Sequence, residues 1–214
     1  MKVLVACEES QRVCIAFRER GHEAYSCDLE DCSGGRPEWH IKGDALIAIR
    51  GGQVVTMDGA THDVGRWDLI IAHPPCTYMS NAGACRMYPR KGVVDSKRLE
   101  KAMEAKAFFM SFLTADCDKI CIENPMPMKI IGLPKETQRI QPYMFGDPYS
   151  KKTYLWIKGL RELQTTNVCK EHKPYLPSAT GRRLGGETYG VARSAKERSK
   201  TFPGIAKAMA EQWG

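Results

Sequence analysis

The chain has 214 residues, of which 43% are hydrophobic and 27% are charged, a composition typical of a folded globular protein. Its formal net charge of +7 is compatible with a polyanionic partner such as a nucleic acid. No apolar run approaches the roughly 20 residues that span a bilayer, so we expect neither a membrane segment nor a membrane partner.

The amino terminus enters a strand at once, from Lys2, and shows no signal-peptide pattern, so we expect a cytoplasmic location. Nine cysteines are scattered along the chain without the paired CxxC spacing of zinc sites. We therefore expect reduced thiols, such as Cys117 and Cys121 in apolar surroundings, and no metal site. No repeat or linker divides the sequence, which predicts a single domain over residues 1–214.

The first predicted elements are a strand, a helix and a second strand. An apolar β-branched run over 2–7 predicts the first strand, and apolar residues over 13–17 predict the helix, with Ser10 as a candidate cap. The run 24–27 predicts the second strand, which ends at Asp28. Strand, helix and strand within about 28 residues indicate a βαβ unit. We therefore expect an α/β fold with a doubly wound, mostly parallel sheet.

The rest of the chain alternates apolar runs with polar or proline-rich connections. The further predicted elements are, in chain order, a hairpin that begins at 53–56, a buried strand over 67–72, an amphipathic helix over 97–114, a buried strand over 119–122, a short strand near Tyr143, a strand over 153–157 and a closing helix over 202–213. Residues 164–200 show little periodicity.

Cys76 follows the predicted strand 67–72 across His73, Pro74 and Pro75. Neither proline has an amide donor, so the strand must end there, and Cys76 lies on a stiff turn at the carboxyl end of the strand. Ligands bind at this edge of open α/β sheets. Because a thiolate is a strong nucleophile near neutral pH, Cys76 is a candidate nucleophile. A small buried cysteine beside a structural turn is the alternative.

Asp28, Asp44 and Glu123 also fall at or just after strand ends, so a parallel sheet would bring them to the same edge as Cys76. Asp28 could bind the ribose of an adenosine cofactor or form an Asx turn, and Asp44 could instead cap the next helix. Glu123 ends an apolar strand, so we expect a partly buried carboxyl group with a raised pKa that can donate a proton. A cysteine nucleophile beside a glutamic acid suits attack on an electron-poor ring.

Four motifs resemble those of the C5-cytosine DNA methyltransferases. Residues 75–83 (PCTYMSNAG) look like the catalytic Pro-Cys motif of that family, and residues 123–125 (ENP) look like its Glu-Asn-Val motif. Residues 152–154 (KTY) are similar to the end of its Arg-x-Arg-x-Tyr motif. Residues 199–206 (SKTFPGIA) resemble the C-terminal motif that completes the cofactor pocket. The motifs occur in the same order over nearly the whole chain, and compact forms of this kind are familiar in phage and prophage sequences.

The resemblance implies a methyltransferase of the Rossmann-like type that uses S-adenosylmethionine and acts on DNA in a bacterial or phage-infected cell. Cys76 would add to C6 of cytosine while Glu123 holds and protonates N3, and C5 would then take the methyl group. In a duplex the cytosine must first be flipped out. The implied catalytic residues are Cys76, Glu123 and Lys152; the cofactor-binding residues are Cys7, Glu8, Asp28, Leu29, Asp44, Ala45, Pro74 and Thr201; the substrate-binding residues are Ser80, Asn124 and Lys151.

Three features depart from the family pattern. The first turn, residues 6–11 (ACEESQ), has no glycine where the family has a glycine-rich motif. Lysine at 152 and serine at 150 replace two arginines. Only 48 residues separate Lys152 from Thr201, too few for a full target-recognition domain. The basic stretch 170–200, a homodimer or a partner protein would then supply the sequence specificity.

Two other interpretations stay open. The chain could be a catalytically silent protein that keeps the fold and binds or regulates nucleic acid, which the altered first turn and the small size favour. The same chemistry could also act on RNA or on a nucleotide. An amino-methyltransferase is disfavoured, because that chemistry uses an Asp/Asn-Pro-Pro-aromatic motif and this chain has HPPC at 73–76.

Overall fold

A computed structural model describes residues 1–175 and 194–214. In chain order its elements are β1 (Lys2–Ala6), α1 (Arg12–Glu19), β2 (Glu23–Asp28), β3 (His40–Lys42), α2 (Ala45–Ala48), β4 (Gly52–Val55), β5 (Thr61–Gly65), β6 (Leu69–Ala72), α3 (Ala84–Met87), α4 (Ser96–Leu113), β7 (Ile120–Asn124), β8 (Gln138–Ile140), β9 (Tyr149–Ser150), β10 (Thr153–Lys158), β11 (Lys173–Pro174), α5 (Ala195–Ser199) and α6 (Pro203–Trp213). Short 3-10 turns occur at Pro37–Trp39, Asn81–Gly83, Lys129–Ile131 and Pro142–Phe145.

The described residues form a central seven-stranded sheet in the order β3-β2-β1-β6-β7-β10-β8. The five strands from β3 to β7 run parallel, while β10 pairs antiparallel with both of its neighbours. The strand order reverses between β1 and β6, which is where ligands bind in doubly wound sheets. The expected α/β fold with a mostly parallel central sheet is therefore confirmed.

Both faces of the sheet are covered, which explains why β1 and β6 are continuous apolar runs rather than alternating ones. On one face, α1 and α6 pack together through Val13, Phe17 and Ile205, and Trp213 closes the same cluster. On the other face, α4 brings Phe109 and Phe112 against the sheet. The hairpin β4–β5 pairs only with itself and lies beside α2.

Most predicted elements are confirmed, namely the βαβ start, the hairpin, the long helix α4, the strands β6, β7 and β10 and the closing helix α6. The predicted strand near Tyr143 is wrong, because Pro142 begins a 3-10 turn there, and proline fixes φ and lacks the amide that a ladder needs. The basic stretch 170–200 falls mostly on 176–193, which lie outside the described residues.

The helices of the described ranges are all too short or too polar to cross a membrane.

The start of α6 packs too closely for a side chain at Gly204. A Cβ atom there would overlap the carbonyl of Phe145, and the Gly204 amide donates to Asp147 Oδ2 at 2.9 Å. We expect Gly204→Ala to lower the free energy of unfolding by about 2 kcal/mol, the scale of overpacking. Gly43→Ala is the control, since a Cβ atom at Gly43 meets open space. Urea denaturation measures both, and equal stabilities would contradict the packing described for α6.

Candidate active site

The turn after β6 holds Cys76 at the carboxyl edge of the sheet. The backbone amide of His73 still donates to the carbonyl of Ala6 at 2.9 Å, so β1 and β6 stay paired to the last residue before the prolines. The carbonyl of Cys76 then accepts from the amides of Met79 at 3.1 Å and Ser80 at 2.9 Å. These bonds close a tight turn whose apex is the half-buried side chain of Cys76.

Hydrogen bonds join this turn to the one that follows β7. The side-chain amide of Asn124, which is 2% exposed, donates to the carbonyl of Pro74 at 2.9 Å. The amide of Asn81 donates to Met126, and the amide of Met128 donates to Met79, each at 2.8 Å. The two turns are therefore held side by side. The carboxyl group of Glu123, the residue before Asn124, lies near enough to the Cys76 thiol for its charge to act on the thiol pKa.

His73 and Glu123 form a buried pair at the centre of this arrangement. His73 Nδ1 lies 2.9 Å from Glu123 Oε2, and the two side chains are 8% and 10% exposed. The other ring nitrogen of His73, Nε2, is buried and has no hydrogen-bond partner among the described residues. The sequence interpretation did not include His73, although its position directly before Pro74 was visible in the motif.

The two members of the pair shift each other's pKa in opposite directions. Burial alone lowers the pKa of His73, but the hydrogen bond and charge of Glu123, together with the charge of Glu8, outweigh it, so the pKa is raised. Burial alone raises the pKa of Glu123, but the hydrogen bond from His73 and the charges of Lys151 and His73 lower it on balance. The pair is thus an imidazolium facing a carboxylate over the pH range between the two pKa values.

The expected raised pKa of Glu123 is therefore wrong. The sequence argument considered burial, which does raise the pKa, but it did not include the imidazole 2.9 Å away or the nearby ammonium group of Lys151. Glu123 is a carboxylate at neutral pH, so any proton that it presents to a substrate must reach it from another group.

The Cys76 side chain is a thiol at rest. Burial raises its pKa, and the negative charge of Glu123 raises it further. Lys151 and the side chain of Ser80 act in the opposite direction. The nucleophile is therefore not activated in advance. Its thiolate form depends on the balance between one carboxylate and one ammonium group in the same site.

Lys151, rather than Lys152, supplies the cation of this site. The ammonium group of Lys151 acts on the pKa values of His73, Cys76 and Glu123. It also donates to the carbonyl of Arg198 at 2.8 Å. Lys152 is exposed and makes no hydrogen bond within the described part of the chain. The predicted catalytic Lys152 is thus not among the groups that act on the pKa values of the pair, whereas Lys151 is.

The turn after β1 differs from the prediction for two residues. Ser10 does not cap α1; instead the buried carboxylate of Glu8 accepts from the amides of Val13 at 2.7 Å and Cys14 at 3.2 Å. Burial raises the pKa of Glu8 to about 6 against these bonds. Glu8, predicted to bind the cofactor, is therefore engaged by the helix start. Cys7 lies beside it with φ of 58°, in the left-handed region that glycine favours.

A second group of polar residues lines the edge at β2 and β3. Asp28 is half-buried and forms an Asx-type bond by accepting from the amide of Glu30 at 3.0 Å. Asp44 is exposed and caps α2 by accepting from Leu46 at 2.8 Å. Both carboxylates raise the pKa of the nearby Cys7 thiol, after the larger effect of burial. Asp28, Asp44 and Cys7 therefore share one stretch of the edge.

Apolar surface lies beside these carboxylates. Leu29 is 75% exposed, while Ala45 is the buried first residue of α2. An exposed leucine next to a strand-end aspartate places an apolar face beside a carboxylate, the pair of surfaces that an adenosine group would need. The predicted Pro74 is buried and contributes its carbonyl to Asn124 rather than a side-chain contact on this surface.

Glu9 carries a buried carboxylate that the described residues leave unsatisfied. Both of its side-chain oxygens are buried and accept no hydrogen bond there, and Lys196 Nζ approaches only to 3.9 Å. Buried acceptors are normally paired. S-adenosylmethionine carries an ammonium group and ribose hydroxyls, all of them donors, so the residues present at this edge fit that cofactor.

The carboxyl-terminal segment folds back over the same edge. Arg12 Nη1 donates to the carbonyl of the buried Thr201 at 2.8 Å. Lys196, on α5, pairs with Glu30 at 2.8 Å. Thr201 is thereby held beside the start of α1, while the Lys151 bond to Arg198 ties this segment to the surroundings of the buried His73–Glu123 pair.

One cavity lies away from these residues. It holds about 280 Å³ and is lined by Ile49, Arg66, Trp67 and Ala115 among others. Trp67 precedes β6, so this cavity opens at the amino-terminal edge of the sheet, opposite Cys76. Arg66 there is already paired with Asp116 and Asp118. The cavity contains no nucleophile, and within the described ranges no group of three or more ligating side chains could hold a metal ion.

No protein-family model matches the chain, and no curated protein matches it by sequence. The assignment of this edge as a site therefore depends on its geometry and on the motifs.

Removal of one member of the buried His73–Glu123 pair should destabilise the fold. We expect His73→Leu to lower the free energy of unfolding by about 3 kcal/mol near pH 6, because it leaves the Glu123 carboxylate buried and unpaired. The double variant His73→Leu/Glu123→Leu should recover most of this loss. Urea denaturation measures both variants, and a single variant as stable as wild type would contradict the pairing.

The loss of unfolding free energy in His73→Leu should also depend on pH. The raised pKa of His73 stabilises the fold. This stabilisation is complete below pH of about 6.5, the pKa of an unfolded histidine, and it is lost as the pH rises through the folded-state pKa. The lowered pKa of Glu123 also stabilises the fold. This stabilisation is complete above pH of about 4.5, the ordinary pKa of the carboxyl group, and it is lost as the pH falls through the folded-state pKa. The loss of unfolding free energy in His73→Leu should therefore be largest between these two pH values and smaller at pH 9.

Alkylation of Cys76 should report the charges around it. Glu123→Gln removes a charge that raises the thiol pKa, so iodoacetamide should modify Cys76 faster at pH 7.5, by about threefold or more. Lys151→Met removes the opposing charge and should slow the reaction. Peptide-level mass spectrometry resolves Cys76 from the other cysteines, with exposed Cys85 as the internal reference. Equal rates in both variants would contradict this coupling.

Proposed function

We propose that the protein transfers a methyl group from S-adenosylmethionine to C5 of cytosine in DNA. The observation that carries the proposal is the placement of Cys76 and Glu123 on two hydrogen-bonded turns at the same sheet edge. A thiol and a carboxyl group in this relation suit addition to one atom of a ring and protonation of another. The motif order shared with C5-cytosine methyltransferases supports the same chemistry.

The chain's own residues divide the reaction between them. Cys76 loses its proton to solvent at the open side of its turn and forms a bond to C6. Glu123, a carboxylate at rest, takes a proton from another group and passes it to N3, where the displaced electron pair collects. C5 becomes nucleophilic as a result. After transfer, a base removes the proton from C5, the bond between Cys76 and C6 breaks, and N3 returns its proton. Ser80 and Lys151 lie close enough to Cys76 to affect its pKa and so favour the thiolate.

The cofactor supplies an electrophilic methyl group when bound. Asp28 would bind the ribose hydroxyls, and Leu29 would cover one face of the adenine. The carboxylate of Glu9 would accept from donor groups of the cofactor, because it has two buried and unpaired oxygens in the described structure. The strand order, with its reversal between β1 and β6, supports a Rossmann-like methyltransferase, since it opens a ligand crevice at this edge.

Two features support DNA as the substrate: the positive net charge of the chain and the way a base would reach Cys76. The chain has a net charge of +7, which favours a polyanion. The resemblance implies arginines at positions 150 and 152, and Lys151 between them supplies a cation whose charge acts on Cys76 and Glu123. A base must leave the helical stack to reach Cys76, as in other enzymes that modify bases.

Trapping of a covalent adduct tests this function. Duplexes of random sequence that contain 5-fluorocytosine should form a denaturation-resistant complex with the wild type when S-adenosylmethionine is present, because fluorine at C5 cannot leave as a proton. Cys76→Ser should form none. Cys85→Ser, which changes an exposed cysteine on α3, should form as much as the wild type.

Absence of the wild-type adduct with duplex and single-stranded DNA would overturn the proposal. Calorimetry with S-adenosylmethionine then separates the remaining interpretations. A chain that does not bind the cofactor fits the catalytically silent nucleic-acid-binding protein. A chain that binds the cofactor and forms an adduct only with RNA or a nucleotide keeps the chemistry and changes the substrate.

A further inference from the structure

We propose that His73 and Glu123 act together as one acid, in which His73 holds the carboxylate in position and passes it the proton that Glu123 delivers to N3 of cytosine. His73 is then a positioning residue and a proton donor to Glu123, without contact with the substrate. This inference deepens the proposed function and rests on it. The experiment below gives separate outcomes for the two.

The geometry makes His73 the immediate neighbour of the acid. Its Nδ1 lies 2.9 Å from Glu123 Oε2, a hydrogen-bond distance at which a proton can pass without movement of the backbone. Both side chains are at least nine-tenths buried, so water does not compete for the contact. The backbone of His73 is fixed on one side by its bond to Ala6 and on the other by Pro74, whose ring restricts the preceding residue.

The proton balance requires such a donor. Glu123 is a carboxylate in the resting protein and has no proton of its own to give. When Cys76 adds to C6, the displaced electron pair reaches N3. Glu123 protonates N3 and takes the Nδ1 proton of His73, so the imidazolium becomes imidazole while the carboxylate is restored. When Cys76 leaves, the proton returns from N3 to Glu123 and then to His73.

The charges around the imidazole favour its protonated form at rest. Glu123 faces it from β7, and Glu8 acts on it from the turn after β1. Lys151, before β10, opposes them, and Cys76 on the same loop is neutral as a thiol. Because two carboxylates and only one ammonium group act on the imidazole, the net charge around it is negative. A buried imidazolium is stable only in such a surrounding.

A comparison within the same chain distinguishes this histidine from a structural one. His40 is also buried, but Nδ1 lies 2.8 Å from Ser26 Oγ and Nε2 lies 3.0 Å from the carbonyl of Glu30. Both of its nitrogens are paired with neutral groups, and burial lowers its pKa. His73 has one nitrogen on a carboxylate and the other without a partner in the described structure. His40 is thus the internal reference.

Titration of the histidines by nuclear magnetic resonance tests the shared proton without any need for activity. In protein labelled with ¹⁵N-histidine, His73→Gln assigns the His73 signal. Its midpoint should lie above that of His40 and should fall by about one pH unit or more in Glu123→Gln, because the facing negative charge is lost. The His40 midpoint should not move. A His73 midpoint that is the same in Glu123→Gln and wild type overturns the inference.

The pH profile of methyl transfer tests delivery of the proton. His73→Gln keeps a side-chain donor for Glu123 but cannot supply a titrating proton. We expect kcat to fall about 100-fold, the lower range for loss of acid catalysis, with KM for DNA within about threefold, and the alkaline limb of the profile to move to lower pH. His62→Gln, on the separate hairpin, should match the wild type. An unchanged profile in His73→Gln overturns the inference and leaves His73 a structural residue.

Failure of the proposed function gives a different result. If the wild type transfers no methyl group and forms no adduct, the methyltransferase proposal and the delivery of a proton to N3 are both overturned. The titration of His73 is then still informative, because it decides by itself whether His73 and Glu123 share a proton.

Discussion

The site depends on the hydrogen bond from the Asn124 amide to the carbonyl of Pro74. Two consecutive prolines end the ladder of β6 and leave carbonyls without strand partners, and a buried carbonyl left unpaired costs about 1–3 kcal/mol. Asn124 satisfies one of them from the neighbouring strand. The same bond sets how far apart the turns after β6 and β7 can lie, and so it fixes Cys76 relative to Glu123. The proline motif and the ENP motif are thus two halves of one structural unit.

Within that unit the ionisable groups cannot be considered singly. Glu123 raises the pKa of Cys76 and of His73, while Lys151 opposes both effects. A change in one charge therefore alters the pKa values of Cys76, Glu123 and His73 together, as is usual for groups in a shared low-dielectric site. Lys151 is in turn bonded to the backbone at Arg198. The carboxyl-terminal segment, remote in sequence, thereby affects the electrostatics at Cys76.

Sequence patterns predicted what depends on local periodicity. The apolar runs of β1, β6 and β7 and the acidic or proline residues that end them predicted the strand ends and the position of Cys76 just after β6. The direction of β10 was not predictable, because strand pairing is a tertiary property. The bonds of Glu8 to the start of α1, the contact of His73 with Glu123 and the charge of Lys151 beside Cys76 were not predicted, because each depends on three-dimensional proximity. The lowered pKa of Glu123 follows the same rule, since burial can be inferred from sequence and an imidazole contact cannot.

Cys7 adopts a left-handed backbone conformation although it is not a glycine. The turn after β1 keeps a left-handed residue at position 7, the conformation for which glycine is the common choice, and the surrounding bonds of Glu8 to α1 hold it there. A non-glycine residue in this region costs about 1 kcal/mol. A search for glycine alone would therefore miss this turn, whereas its dihedral angles identify it.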